Sequence, residues 1–440
     1  MEKWSGTVKY LTIMSYTSPP GVFDILPEDP KDPWKSSSYW IYLENAIKRI
    51  AELYGFSEIR TPIFEKTELL SRGVGETSDI VNKEMYTFED KGGRSLTLRP
   101  EGTAPVIRAL IENKLLNQSP LQRLYYIAPM FRYERSQAGR YRQHHQFGVE
   151  AIGSESPEVD AEVIDLLYSL YTDLGLKNLT LYLNSLGSPN CRIAYRTALK
   201  EYLEKHLLNL SADSQERFSK NPLRILDSKD PTDRELVASA PNIANFLSEE
   251  SLKHFEKVQQ SLKLLGIPFQ INPLLVRGLD YYNKTVFEIT SGDLGAQNSI
   301  GGGGRYDGLI KLLGGPDLPA MGFGTGIERI LQTLLAQHPD LSAKKKLSLF
   351  LIPMGEKETE RALLLQKELR EAGISVQTDY SGKKLNRALS YANQIGAQFT
   401  GILGDQELKE QVLSLKEMAT GNSVKVPFTE LKNTLKKTLS

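Results

Sequence analysis

The sequence is poor in the residues that hold small secreted folds and metal centres together. It has one cysteine, Cys191, in 440 residues, which excludes an internal disulfide framework and any cysteine-based zinc cluster. Its five histidines show no metal-ligand spacing, and nothing in the composition calls for an oxidising compartment. No apolar run approaches the roughly 18 residues that cross a bilayer, and the opening MEKWSGTVKYLTIM lacks the apolar stretch of a signal peptide. The expectation is a cytoplasmic protein, neither secreted nor in a membrane. An excess of one charge is missing too. With 54 Lys and Arg against 54 Asp and Glu, bulk attraction does not draw this chain to a polyanion, although local patches remain free to do so.

What is present is an average globular composition, 40% hydrophobic and 25% charged, at a length that predicts two to four domains. Residues 1–14 carry no periodic pattern and read as a tail, with Met1 and Met14 both eligible as the start. In SSSYWIYLENAIKRIAELYGF, Trp40, Leu43, Ile47, Ile50 and Tyr54 recur every three or four residues, between serines and Gly55. That spacing predicts a capped amphipathic helix. SEIRTPIFE reads as a strand whose Pro62 suits an edge. YYIAPMFRYER and QHHQFGVEAIG, either side of the polar SQAGRY, predict an antiparallel hairpin.

A helix (SPEVDAEVIDLLYSLYTDLGL) and a strand (LTLYLNSLG) follow. Residues 190–265 turn polar and helical and read as an insertion, dividing a core of 15–189 and 266–340. After HPDLSAKKK, segments 345–440 alternate strands with helices, which predicts a small α/β domain with a mainly parallel sheet. From Leu341 onward 16 Lys and Arg face 11 Asp and Glu, so this part is locally basic.

Three constellations carry chemistry. FRYERSQAGRYRQHHQFGVE sets Arg132, Arg135, Arg140 and Arg142 among aromatics, which suits a polyanion through bidentate, charge-assisted bonds and equally suits a solvated hairpin face. LRPEGTAPVIRA places Glu101 and Thr103 at a helix start, to bind an ammonium or simply to cap. LLVRGLDYYNKTVFE gathers Arg277, Asp280, Tyr281 and Tyr282, with a buried Arg–Asp pair as the plain alternative. GGGGRYDGL resembles a phosphate cradle but lacks GK[ST], and GFGTGIER has glycines spaced two and two, so neither a P-loop nor a dinucleotide fingerprint is present. Turns or close backbone approach explain each glycine set as well. His144 and His145 are adjacent on a strand, so at most one faces a pocket. Cys191, in the insertion, reads as inert.

In this order the stretches resemble the class II aminoacyl-tRNA synthetases. FSEIRTPIFE looks like the first class motif, FRYERSQAGRYRQHHQFGVE like the second and AMGFGTGIERIL like the third. RGLDYYNKTVFE and GGGGRYDGL resemble the stretches peculiar to the histidyl-tRNA synthetase family. The resemblance implies an α+β fold: an antiparallel-sheet catalytic domain with a helical insertion, and a C-terminal α/β anticodon-binding domain. It implies a homodimer that uses ATP and Mg2+ to join L-histidine to tRNA(His).

By position, Arg132 and Arg329 would hold ATP phosphates near adenine, and His144 would stack on that base. Glu101, Thr103 and Gln146 would line the amino-group site, Glu150 and Tyr282 would meet the imidazole, and Tyr281 and Tyr306 would wall the pocket. Arg277 would contact the carboxylate and α-phosphate, while Arg135 and Gln137 would face the tRNA acceptor stem. Two departures are visible. His144 replaces a usual Phe, which suggests pH-sensitive ATP binding, and Ser136 and Ala138 stand where Pro and Lys are common. No editing domain is expected. The rival reading is a synthetase-like regulatory subunit of histidine biosynthesis, which typically lacks the anticodon domain and degrades RGLDYY.

Overall fold

The structure is a computed structural model that describes residues 16–75, 78–134, 139–292, 298–344, 346–382 and 384–439. Among them no helix is long and apolar enough to cross a membrane. The chain divides into two compact units, Met1–Ser342 and Ala343–Ser440.

An eight-stranded sheet organises the larger unit. In spatial order its strands are Ser57–Glu58, Gln122–Phe131, Gln143–Ile152, Ala320–Gly326, Ser299–Arg305, Asn283–Ser291, Leu179–Ser185 and Gln270–Ile271. The six longer strands pair antiparallel, and only the two-residue edge strands run parallel to their neighbours. The expected hairpin is there, its register running from Gln122 opposite Ile152 to Phe131 opposite Gln143. SEIRTPIFE is not one strand. Ser57–Glu58 joins the large sheet and Phe64–Lys66 a separate three-stranded sheet, with Pro62 in the break. Proline has no N–H for a ladder and forces the residue before it into an extended turn, so pairing stops there.

One face of the large sheet is apolar by simple alternation. Phe147, Val149, Phe287, Ile289, Met321 and Phe323 are buried in the main core with helices Ser37–Leu53, Pro157–Asp173 and Ile327–Gln337. Trp40, Leu43, Ile47 and Ile50 form the buried stripe of the first of these helices, each contributing roughly 1.5–3 kcal/mol. Tyr54 closes that helix, its hydroxyl donating to Asp165 Oδ2 at 2.6 Å.

Between Leu179–Ser185 and Asn283–Ser291 the chain makes helices Pro189–Glu204, Ala212–Lys220, Pro231–Val237 and Glu249–Leu264. Ser188, Ser211, Asp230 and Ser248 cap them with side-chain oxygens. Tyr195, Leu199, Ile225 and Val237 build a core of their own that includes Leu275, Val276, Tyr282 and Val286. The last helix instead gives Phe255, Val258 and Leu262 to the main core.

A buried charge cluster fastens that last helix. Arg305 and Asp160 are both fully buried. Arg305 Nη2 donates to Asp160 Oδ1 at 2.5 Å and its Nη1 to the Ser154 carbonyl at 2.9 Å, while His254 Nε2 lies 2.9 Å from Asp160 Oδ2. Burial alone would raise the Asp160 pKa, but the hydrogen bonds and charges of His254 and Arg305 overcome it and leave it lowered.

The smaller unit has a five-stranded sheet in the order Val376–Thr378, Leu347–Pro353, Ala397–Leu403, Val412–Glu417, Ser423–Pro427. The first three strands run parallel and the last two antiparallel. The expected mainly parallel sheet is therefore half antiparallel. Only 418–422 links Val412–Glu417 to Ser423–Pro427, and a parallel return needs a crossover of about a dozen residues.

Removing one partner of a buried ion pair strands the other charge. Arg305→Ala is expected to lower stability by about 3–5 kcal/mol, read as the urea midpoint of the larger unit. A loss under about 1 kcal/mol would show that Arg305 does not anchor the helix.

Candidate active site

The other face of the large sheet floors a cavity of about 360 Å³. His144, Gln146, Gly148 and Glu150 alternate along one strand, and Gly322, Gly324 and Gly326 stand beside them on the next. Gly302 and Gly304 continue this row, with Glu288 opposite Gly302. Gly301–Gly304 and Gly322, Gly324 and Gly326 thus lie in strands, and of the two sets only Gly308 stands in a turn, at positive φ. A Cβ on Gly324 would stand 1.7 Å from Gln146 Nε2, one on Gly322 2.2 Å from Glu150 Oε2 and one on Gly302 2.9 Å from Arg277 Nη1. The missing side chains are the space in which the polar ones lie.

Carboxyls and phenols gather at the cavity. Glu150 is buried, and its Oε1 accepts from Thr103 Oγ1 at 2.8 Å while its Oε2 accepts from the Tyr306 hydroxyl. Burial foremost, with the nearby Glu101 charge, pushes the Glu150 pKa up to about 8 against the pull of those two hydrogen bonds. Glu101 accepts from the Thr103 and Ala104 backbone N–H groups at 2.7 and 2.9 Å, so it does cap helix Thr103–Glu112. It also lines the cavity, and each carboxylate oxygen has a second lone pair to offer. Gln146 Oε1 is buried without a hydrogen-bond partner. The Tyr281 ring meets Tyr282 at 4.7 Å and Tyr306 at 5.7 Å.

Arginines line the same cavity. Arg132 Nε donates to the Pro100 carbonyl at 2.8 Å and Arg329 Nη1 to the Ser299 carbonyl at 2.6 Å. Arg277 Nη1 donates to Glu288 Oε2 at 2.7 Å. The plain alternative of an Arg277–Asp280 pair is not what forms, because Asp280 Oδ1 accepts from Asn221 Nδ2 at 2.8 Å.

Strand alternation separates the two histidines. His144 lines the cavity, whereas His145 faces away, its Nδ1 3.0 Å from Glu328 Oε1 and its ring against Trp40. Withdrawal from water, then the charges of Arg132, His145 and Arg329, pushes the His144 pKa down to about 3. Burial and those neighbouring charges favour the uncharged ring. Among the predicted site residues, all but Glu150 of the described ones line the cavity directly. Arg135 and Gln137, with Ser136 and Ala138, lie outside the described residues.

Sequence reasoning missed Tyr126 and Glu288, which also line the cavity. Tyr126 faces Gly148 across the hairpin, and a Cβ on Gly148 would meet its hydroxyl at 2.3 Å. The signal was that glycine, read through the register. For Glu288 it was a lone carboxylate inside the apolar TVFEIT.

Residues 37–330 match the family model for histidyl-tRNA synthetase, and residues 348–438 match that for the anticodon binding domain. The chain belongs to the histidyl-tRNA synthetase family. A histidine–tRNA ligase of Protochlamydia amoebophila (strain UWE25) is 60% identical over 423 residues, 96% of this chain and 100% of the relative. That of Bacillus subtilis (strain 168) is 48% identical over 427 residues, 96% and 99% of the two chains. The crystal structure of apo S. aureus histidyl-tRNA synthetase aligns with a TM-score of 0.80 at 40% identity, over 96% of this chain and 100% of that one. In this family member, then, the glycine-floored cavity lies inside the segment that matches the synthetase model.

The Glu150 carboxyl sets a pH dependence. Its pKa rises from 4.5 to about 8 on folding, so its contribution to stability is fully present below 4.5 and is lost as pH rises through about 8. Glu150→Gln is expected to lose less stability than the unaltered chain between about pH 6 and 9 in urea unfolding. Parallel profiles would mean that Glu150 ionises normally.

Proposed function

We propose that the chain is a histidine–tRNA ligase. It forms histidyl-adenylate and pyrophosphate from L-histidine and ATP, then transfers histidine to the 3′-terminal ribose of tRNA(His). The observation that carries this reading is that one cavity over the polar face of the large sheet gathers hydrogen-bonding groups, Glu101, Tyr281, Tyr282 and Tyr306, with three arginines, Arg132, Arg277 and Arg329. In the first step a carboxylate oxygen attacks the α-phosphorus, an O–P bond forms, and the bond to pyrophosphate breaks. Two anions approach each other, so charge must be offset where it gathers, and preorganised donors do this without reorganising. Arg277 takes that role, held in place by Glu288, while Arg132 and Arg329 bind phosphate beside His144 and the base.

The hydrogen-bonding groups supply selectivity. The substrate ammonium meets Glu101, Thr103 and the unpartnered Gln146 oxygen. The imidazole N–H meets Glu150, whose carboxyl releases its proton to solvent and accepts that hydrogen bond as the carboxylate, and Tyr282 closes the other side. A site that hydrogen-bonds both ring nitrogens rejects apolar analogues by about 10⁴ to 10⁵, which matches the expectation that no editing domain is needed.

For magnesium, the described residues show no cluster of three or more ligating side chains. Glu134 and Glu288 line the cavity, and each already faces an arginine, Arg140 and Arg277. That set fits an ion carried chiefly by the nucleotide's phosphates and touched by one or two carboxylates, and such an ion would offset phosphate charge. The rival regulatory-subunit reading needs neither Arg277 with its two tyrosines nor an anticodon domain, and this chain has both.

A homodimer in the cytoplasm belongs to the same proposal. Phe64 and Phe88 are exposed and touch each other on the small sheet, an apolar surface that suits a partner. Sedimentation at micromolar concentration is expected to give a dimer, and a monomer would remove this part.

The deciding experiment is ATP–pyrophosphate exchange with single amino acids. Histidine alone is expected to support exchange, and Arg277→Ala to lower it by at least about 10²-fold, as for a lost transition-state donor. Exchange absent with histidine, or equal with another amino acid, would refute the function.

A further inference from the structure

We propose that Arg224, carried by the helical insertion, is a fourth phosphate-binding arginine of the cavity and contacts the triphosphate of ATP. The proposal rests on reading the cavity as an adenylation site, and it makes the insertion part of that site.

Arg224 lies in the short helical turn Pro222–Ile225, whose Pro222 and Ile225 are buried. The turn is pinned from two sides. Ile225 packs in the insertion core with Leu275 and Val276, and Asn221 Nδ2 donates to Asp280 Oδ1 at 2.8 Å. Both contacts lead to the segment that holds Arg277, so the position of Arg224 is fixed relative to it. Gly278, next to Arg277, leaves the room: a Cβ there would stand 3.0 Å from Arg224 Nη1. Arg224 lines the same cavity as Arg132, Arg277 and Arg329.

The Arg224 guanidinium is under-used. Its side chain is only 21% exposed, and its ion-pair partner, Asp227 Oδ2, is 3.7 Å from Nη2, beyond hydrogen-bond distance. Its Nε is buried without a hydrogen-bond partner. Arginine carries five donors in a planar fork that matches phosphate oxygens, and leaving such donors dry and unpaired is unfavourable. A triphosphate entering the cavity satisfies them. Asp227 also lines the cavity and offsets part of the charge, so a moderate effect is expected.

The test is ATP–pyrophosphate exchange with the full chain carrying Arg224→Ala. The KM for ATP is expected to rise about tenfold or more, the effect of losing one charge-assisted hydrogen bond. The KM for histidine should stay within about threefold, with the urea midpoint unchanged and Arg224→Lys recovering part of the loss. An unchanged KM for ATP in a folded variant would overturn the proposal. So would an equal rise for ATP and histidine, which marks a structural role, or a defect confined to transfer from preformed adenylate, which points to a tRNA phosphate. Should Arg224→Ala not fold, Arg224→Gln, uncharged but of similar reach, carries the same readout. Absence of histidine-dependent exchange in the unaltered chain is a different result and would sink the adenylation reading itself.

Discussion

The cavity depends on side chains that are not there. Gln146, Glu150, Arg277 and Tyr126 each lie flat across a glycine of a neighbouring strand or loop, at separations no Cβ would tolerate. Glycine in a strand weakens it by roughly 0.5–1 kcal/mol against alanine, and this sheet carries a row of them. The opposite face offsets that cost. Phe147, Val149, Phe287 and Phe323 leave the same strands in the other direction and are buried in the main core. Alternation with a period of two lets one strand be structural on one side and chemical on the other. It also explains why the polar groups are held rigidly: their strands cannot tilt without disturbing a packed core.

Burying ionisable groups on that face has an electrostatic consequence. Glu150 sits far enough from cations that burial, not charge, sets its pKa, and it is pushed up to about 8. His144 is pushed the other way, to about 3, by burial first and then by the charges of Arg132, His145 and Arg329. Burial disfavours the charged form of both groups, six residues apart on one strand, and so raises the acid and lowers the base. A buried acid that resists ionising and a buried ring that resists protonation leave the charge of the cavity to its guanidinium groups and the carboxylates beside them.

Much of this was legible in the sequence because it is local. The hairpin, the stripe Trp40, Leu43, Ile47 and Ile50, and the order of Glu101, Arg132, Arg277 and Arg329 along the chain follow from periodicity and motif. The partners were not legible. That Arg277 pairs with Glu288 instead of Asp280, and that Tyr126 crosses Gly148, depends on sheet register, which non-local pairing sets. Pro62 was read as an edge residue and proved to divide two sheets, because a missing N–H ends a ladder without saying where the next begins. In the smaller unit the error lay in connection length: five residues between the last two strands permit only a hairpin.

The balance of 54 against 54 charges takes its meaning from pairing. Arg305 is matched by Asp160, Arg277 by Glu288, Arg140 by Glu134 and Arg123 by Glu162. Each of these four arginines has a carboxylate in contact with it. An arginine with a carboxylate on one edge still has donors on the other, so local matching fixes its position without silencing it. Recognition of a polyanion by such a protein is a matter of few, placed contacts. Its affinity for nucleic acid should therefore fall with salt only as steeply as the number of phosphates actually touched.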